Sequence, residues 1–286
     1  MVKIGNAPVS YGAFEVTVGK HEGVPSATEV LDAVQAAGYE GIDLGPVGYL
    51  GLGAELNGAL GSRGLLLTGG YVEIDVAAPD LTELGQVCDA FDAMDKVGSA
   101  GPGGRPPGAP RIDKVFLPRP TVALIGSGGD VVPVVDQVVH YCEDRGYETV
   151  LHNEVGTRLA GQDDLLRVLE STHASLCLDT GHLVAAGGDP LAILANWWDR
   201  VSHVHLKDSS SAGPFTDAMQ LWENSVFCRL GEGVGRTGEI LDALRAGGYD
   251  GWIVVEHDVL PTSPDKYQQA AADQVRNREY LKERGW

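Results

Sequence analysis

Positive charge is what this sequence has least of. Its 21 Lys and Arg stand against 40 Asp and Glu, a formal net charge of −19. A surface this acidic repels phosphate backbones and anionic headgroups, so neither nucleic acid nor a membrane surface is an expected partner. Long hydrophobic runs are missing too. No stretch approaches about eighteen apolar residues and no basic segment leads into an apolar one, so neither a membrane span nor an export signal is expected. The four cysteines, Cys88, Cys142, Cys177 and Cys228, follow no paired spacing. That excludes a disulfide framework and leaves free thiols in a reducing cytoplasm as the expectation. A Gly-x-Gly-x-x-Gly fingerprint is also absent after the first strand-like run, where Asn6-Ala-Pro-Val-Ser-Tyr-Gly12 stands instead.

What is present is a set of four short apolar runs, each ending in a metal-binding or acid/base side chain. They read Val150-Leu-His-Asn-Glu154, Leu176-Cys-Leu-Asp179, Val201-Ser-His-Val-His205 and Ile253-Val-Val-Glu256. Runs of this length rich in Val, Leu and Ile are strand-like, and alternate residues of a strand share a face. His152 therefore goes with Glu154, Cys177 with Asp179, and His203 with His205. Glu154 to Asp179 is 25 residues and Asp179 to His205 is 26, room for one strand, one helix and two loops. Polar groups at the same end of successive βα units converge only where parallel strands close into a ring. That is the catalytic face of a (β/α)8 TIM barrel, which takes about 250 residues, so the 286 residues are read as one such domain.

Eight strands are expected, at residues 3–7, 41–44, 65–68, 114–117, 149–152, 175–178, 202–206 and 252–256. Helix signals lie between them. Ser26-Ala-Thr-Glu29 and Asp80-Leu-Thr-Glu83 read as helix starts of the capping-box type, and Asp189-Pro190 as an N-cap followed by a first-turn proline. A Val-rich stretch over 131–139 is read as a helix. Gly38-Tyr-Glu-Gly41, Gly146-Tyr-Glu-Thr149 and Gly248-Tyr-Asp-Gly251 each end a helical pattern and lead into a strand. The same helix-stop junction three times argues for a βαβα array over separate strand and helix domains. Two segments break the rhythm. Residues 99–111, dense in Gly and Pro, are expected to form a mobile surface loop. Residues 209–238, which leave the strand of His205 and carry Phe215, Trp222, Phe227, Arg229 and Arg236, are read as a lid over the catalytic face; packing on a neighbouring subunit is the alternative.

Carboxylates and imidazoles together suit a hard or borderline divalent ion: Mg²⁺, Mn²⁺, Co²⁺ or Zn²⁺. The candidate ligands are Glu154, Asp179, His205 and Glu256, with His152 able to take the place of Glu154. Glu256 could instead make a strand-end salt bridge, but an acid pointing into a barrel mouth is costly unless paired or metal-bound. Asp179 can also serve as a helix N-cap. His203 is read as a core or outer-shell group. His182 and Asp208 are read as supporting or substrate-contacting groups, and Lys207 as either an electrophile or an exposed charge.

With Asp179-Thr-Gly-His182, His203-Val-His-Leu-Lys-Asp208, Gly251-Trp-Ile-Val-Val-Glu-His-Asp258 and His152-Asn-Glu-Val-Gly-Thr157, the chain resembles the xylose isomerase-like TIM-barrel superfamily of sugar isomerases and epimerases. Within it the chain looks most like the inosose dehydratase (2-keto-myo-inositol dehydratase) branch. The resemblance implies a divalent metal held by Glu154 or His152, Asp179, His205 and Glu256. Glu154 and Glu256 would flank a sugar or cyclitol as acid/base groups, with His182 and Lys207 assisting and His152, Asp208, Trp222, Arg229 and Arg236 as further ligand or substrate contacts. It also implies a cytoplasmic homo-oligomer. Dehydration, isomerisation and epimerisation share one hard step, removal of a proton from carbon next to a carbonyl. Isomerisation or epimerisation without water loss is the first alternative. A metal-dependent abasic-site endonuclease is a remoter one, opposed by the acidic balance and the scattered Lys and Arg.

Overall fold

The computed structural model describes residues 2–95, 116–260 and 263–286. The loop expected at residues 99–111 lies outside the described residues, as do Lys114 and Val115 of the expected fourth strand.

Among the described residues, nine parallel strands form one sheet: β1 Lys3–Asn6, β2 Gly41–Ile42, β3 Leu66–Leu67, β4 Gly69–Asp75, β5 Arg119–Ile125, β6 Val150–His152, β7 Ser175–Asp179, β8 Val201–Leu206 and, after two short strands described below, β11 Trp252–Val255. Their order is β3-β2-β1-β11-β8-β7-β6-β5-β4. The two ends of that order, β3 and β4, are successive pieces of one strand that bends at Thr68. Leu44 N–H donates to Gly69 O at 2.9 Å on one side, and Arg119 N–H donates to Thr68 O at 3.2 Å on the other. The ring therefore closes, and the architecture is the expected TIM barrel.

The third strand runs further than the sequence reading placed it. The pair Gly69-Gly70 continues it and is a requirement of packing. A Cβ on Gly69 would lie 2.9 Å from Arg119 O, and one on Gly70 2.8 Å from a methyl of Val87. The expected strand at 114–117 is also corrected. Phe116 and Leu117 precede the strand, which begins at Arg119.

Helices cover the outside. Their starts follow the local chemistry: in α1 (Ala27–Ala37) Ser26 and Glu29 close a reciprocal capping box, and in α7 (Pro190–Asn196) the Asp189 carboxylate accepts from Leu191 N–H at 3.0 Å. The Val-rich stretch is helical, as α4 (Val131–Asp144), with Val134, Val135 and Val138 buried. The three Gly-Tyr junctions share one geometry. Gly38, Gly146 and Gly248 take positive φ of 85°, 87° and 73°. Each following tyrosine N–H donates back into the last helical turn, to Val34, Cys142 and Leu244, and each ring is buried.

Candidate metal and acid/base site

The carboxyl ends of the strands converge on a cleft lined by His152, Glu154, His205, Lys207 and Glu256. Asp179 ends β7 and also caps α6 (Thr180–Ala185), accepting from His182 N–H at 2.8 Å. Thr180 links that turn to β8, donating to Lys207 O at 2.7 Å and accepting from Lys207 N–H at 3.0 Å. Asn153, between His152 and Glu154, locks β6 to β7 through Asp179, with its amide donating to Asp179 O and accepting from Asp179 N–H. Glu256 and Asp258 follow β11.

Lys207 is the positive centre of the site. Its Nζ lies 3.2 Å from Asp179 Oδ2, 2.9 Å from Glu256 Oε2 and 2.7 Å from Asp258 Oδ1, with all four side chains buried. Burial alone would push the ammonium down, but Asp179, Asp258 and Glu256 together hold it well above the ordinary lysine range. Burial would likewise raise the carboxyls. Lys207 with His182 and His152 holds Asp179 low, His205 with Lys207 holds Glu256 low, and Lys207 with His182 holds Asp258 low. The alternative of Lys207 as an exposed charge is thereby overturned.

Three buried carboxylates share Lys207 and, beside Glu256, a His205 ring whose proton affinity Glu256 raises against burial, and their negative charge still exceeds that of these partners, which is costly in a dry interior. One ligand atom each from Asp179, His205 and Glu256 lie within 4.8 Å of one another. His205 Nδ1 is 3.3 Å from Glu256 Oε1 and 4.0 Å from Asp179 Oδ2. Asp179 Oδ2 has no well-directed hydrogen-bond donor among the described residues, although it is buried. Donor type, convergence and excess charge all fit a divalent cation.

His152 and Glu154 are placed differently about this cluster. His152 Nε2 is 3.2 Å from His205 Nδ1 and 3.6 Å from Asp179 Oδ2, so it faces the cluster. Glu154 stands on the other side of that ring, 3.8 Å from Nδ1, and accepts from the Tyr71 hydroxyl. Cys177 also has its sulfur near the His152 and His205 rings. Burial pushes that thiol up to about 11, which keeps it protonated and a poor ligand near neutrality.

His182 pairs with Asp258, Nε2 to Oδ2 at 3.5 Å, while its Nδ1 accepts from Val155 N–H at 3.3 Å. The ring proton of neutral His182 therefore sits on Nε2, toward Asp258. Trp222 Nε1–H also donates to that carboxylate, at 3.3 Å. His203 is buried, its proton affinity lowered by burial, and neither ring nitrogen has a partner among the described residues.

The 209–238 segment is folded over this face. It holds α8 (Ala218–Glu223) and β10 (Phe227–Cys228), which pairs antiparallel with β9 (Asp208–Ser209). Trp222 packs edge-on to Phe14 at 5.1 Å, and the Phe227 ring lies 4.8 Å from His182 and 4.7 Å from Lys207 Nζ. Trp222 thus lines the cleft. Arg229 and Arg236 do not. Arg229 is taken up by Glu232 at 2.8 Å and by Asp273, and Arg236 by Glu239 at 2.6 Å. Asp208 is not a cleft residue either. Its carboxylate accepts from Gly231, Gly233 and Gly235 N–H, so it anchors the returning loop.

Glu15, which lies outside any strand, lines the cleft unforeseen, and so do three residues of the strands and their ends: Asp43, Tyr71 and Asp258. Strand alternation carried the signal for these three. Asp258 is two residues beyond Glu256, Tyr71 alternates with Val72 and Ile74 in the missed strand, and Asp43 is two residues beyond Gly41 at the mouth of β2.

Comparison with known proteins agrees with the barrel fold. An inosose dehydratase of Geobacillus thermodenitrificans is 32% identical over 149 residues, 49% of this chain and 49% of that protein. One of Lacticaseibacillus casei is 33% identical over 134 residues, 44% and 45% of the two chains. The match thus spans about half the length of these curated relatives. Among solved structures, the probable 3-DHS dehydratase AsbF from Bacillus anthracis superimposes with a TM-score of 0.64 at 15% identity, covering 98% of both chains. The IOLI protein, solved with a bound zinc atom, superimposes with a TM-score of 0.65 at 12% identity, covering 97% of this chain and 95% of that one. At those identities the likeness is one of fold. The family model described as xylose isomerase-like TIM barrel matches residues 31–280. The chain therefore belongs to the xylose isomerase-like TIM barrel family.

Proposed function

We propose that this protein is a divalent-metal-dependent carbohydrate lyase or isomerase that removes a proton next to the carbonyl of a keto-sugar or keto-cyclitol, with inosose-type dehydration as the leading reaction. The observation that carries this reading is the meeting of Asp179, His205 and Glu256 at the floor of the cleft, with His152 turned toward them. The relatives named inosose dehydratase add the direction of water loss.

Asp179, His205, Glu256 and His152 would hold the ion; the zinc of the IOLI structure shows that a barrel of this fold can carry one. A bound divalent ion would act as a Lewis acid, polarising the ketone and lowering the cost of negative charge on its oxygen. The chain supplies the proton transfers. Glu154, hydrogen-bonded to Tyr71 and facing the cleft, would move a proton on one side of a bound sugar, and Glu256 on the other. His182 Nε2–H, oriented by Val155 and Asp258, is a donor for a departing hydroxyl. Phe14 and Trp222 provide apolar walls against the carbon faces of the ring and keep water from the reacting carbon.

Incubation with a panel of ketoses and inososes and added Mn²⁺, Co²⁺, Mg²⁺ or Zn²⁺ tests the reading. Dehydration gives the ultraviolet absorbance of a conjugated diketone, and epimerisation gives a new sugar on chromatography. Metal-loaded protein that changes none of them would count against both.

A further inference from the structure

On the side of His205 away from the ligand cluster stands Asp43, a buried acid that no motif singled out. Asp43 Oδ2 is 3.5 Å from His205 Nε2, and both side chains are buried. The acid is held in place from three directions. Its backbone N–H donates to Asn6 O at 2.9 Å, and the Thr68 hydroxyl donates to Oδ1. A Cβ on Gly69 would stand 3.2 Å from that same oxygen, so the absence of a side chain at the strand bend leaves the room the carboxylate occupies.

An imidazole offers two nitrogens, and the partner of one decides the availability of the other. His205 Nδ1 points at Glu256 and Asp179, where a cation would sit. Nε2 must then carry the proton and needs an acceptor. The Asp43 carboxylate stands 3.5 Å from Nε2 and is fixed by the Thr68 hydroxyl, whereas a thiol such as that of Cys177 is a weak acceptor.

We infer that Asp43 is a positioning residue: it takes the Nε2 proton of His205 in a hydrogen bond, fixes the ring, and so presents Nδ1 to a divalent cation. Carboxylates that hold the far nitrogen of a metal-binding histidine orient the ring and raise its basicity, and their loss costs roughly 10- to 100-fold in metal affinity. The inference rests on the metal reading above, but it can be tested apart from it. The bend at Thr68 and Gly69 gains a purpose from it. The bend closes the barrel and also supplies the hydroxyl and the space that Asp43 needs.

The test uses full-length protein with Asp43→Asn, Thr68→Val and Cys177→Ala. In metal-free protein the His205 Nε2–H gives a slowly exchanging low-field proton resonance, assigned by its loss in His205→Gln. Asp43→Asn should shift or abolish that resonance, Thr68→Val should shift it less, and Cys177→Ala should leave it in place. Affinity for Zn²⁺ or Co²⁺, measured by competition with a chelator, should fall roughly 10- to 100-fold in Asp43→Asn, less in Thr68→Val and little in Cys177→Ala. Should Asp43→Asn fail to fold, Thr68→Val carries the same two readouts. An unmoved resonance with wild-type affinity in both variants overturns the inference. So does a stoichiometry of two ions per chain lost to one in Asp43→Asn, which would make Asp43 a ligand. If the wild type binds no divalent ion, the metal reading fails, and the Nε2–H resonance still decides whether Asp43 holds His205.

Discussion

His152 and His205 face each other across the barrel floor, Nε2 to Nδ1, at 3.2 Å. Two imidazole nitrogens this close either share a proton or share a cation. With Asp179 and Glu256 beside them, the second is the better use of the arrangement. His152→Ala should therefore weaken divalent-metal binding by roughly tenfold or more, while Glu154→Gln should leave affinity near wild type and reduce turnover. Calorimetric titration of both variants checks this, and the reverse order would return Glu154 to the ligand set.

Glu256→Gln keeps size and shape but cannot accept a proton and is a weaker ligand. Turnover should drop by roughly two to four orders of magnitude with a native circular dichroism spectrum. Near-wild-type rates on an identified substrate would remove Glu256 from both roles.

Lys207→Met should destabilise metal-free protein by about 3–5 kcal/mol in urea unfolding, because three buried carboxylates lose their common cation. The pH dependence has a definite sign. Asp179, Asp258 and Glu256 lie below the usual carboxylate range, so their contribution is present above about pH 4 and disappears as pH falls through the lowered values. Lys207 lies above its ordinary range, so its contribution is present below about pH 10 and disappears above it. Without Lys207 the burial that raises the carboxyls dominates, and the variant should gain stability from pH 8 to pH 5. A variant with the wild-type pH profile would contradict this ledger of charges.

Trp222→Leu removes both the wall against Phe14 and the hydrogen bond to Asp258. Turnover should fall while the melting temperature changes by only a few degrees, since Leu221, Val226 and Phe227 still pack the segment onto Val155 and Ala185. A thermal melt beside steady-state kinetics separates the two effects. A large loss of stability with intact turnover would make the segment structural.

Much of this arrangement is legible in the sequence because barrel strands are short, apolar and punctuated. His205, Asp179 and Glu256 each end such a run, and the repeated Gly-Tyr junctions mark helix ends by a local hydrogen bond. What escapes is what long-range packing decides. The strand expected to end at residue 68 runs on through Gly69-Gly70, where crowding by Arg119 and Val87 from elsewhere in the chain leaves no room for a side chain. Tyr71 is lost with that strand. Arg229 and Arg236 look available in sequence, yet each has an acid three residues later that occupies it. The order of His152 and Glu154 depends on which way one ring turns, which strand alternation alone does not specify.

The most direct measurement is hydrogen exchange at the substrate carbon. Metal-loaded protein is incubated in D₂O with inososes and ketoses, and proton NMR follows the hydrogens next to the carbonyl. Loss of one such signal that requires Mn²⁺, Co²⁺, Mg²⁺ or Zn²⁺, stops on chelation and is absent in Glu256→Gln is the predicted result, whether the product is a dehydrated diketone or an epimer. Protein that holds its ion but exchanges no such hydrogen on any of these substrates would contradict the account.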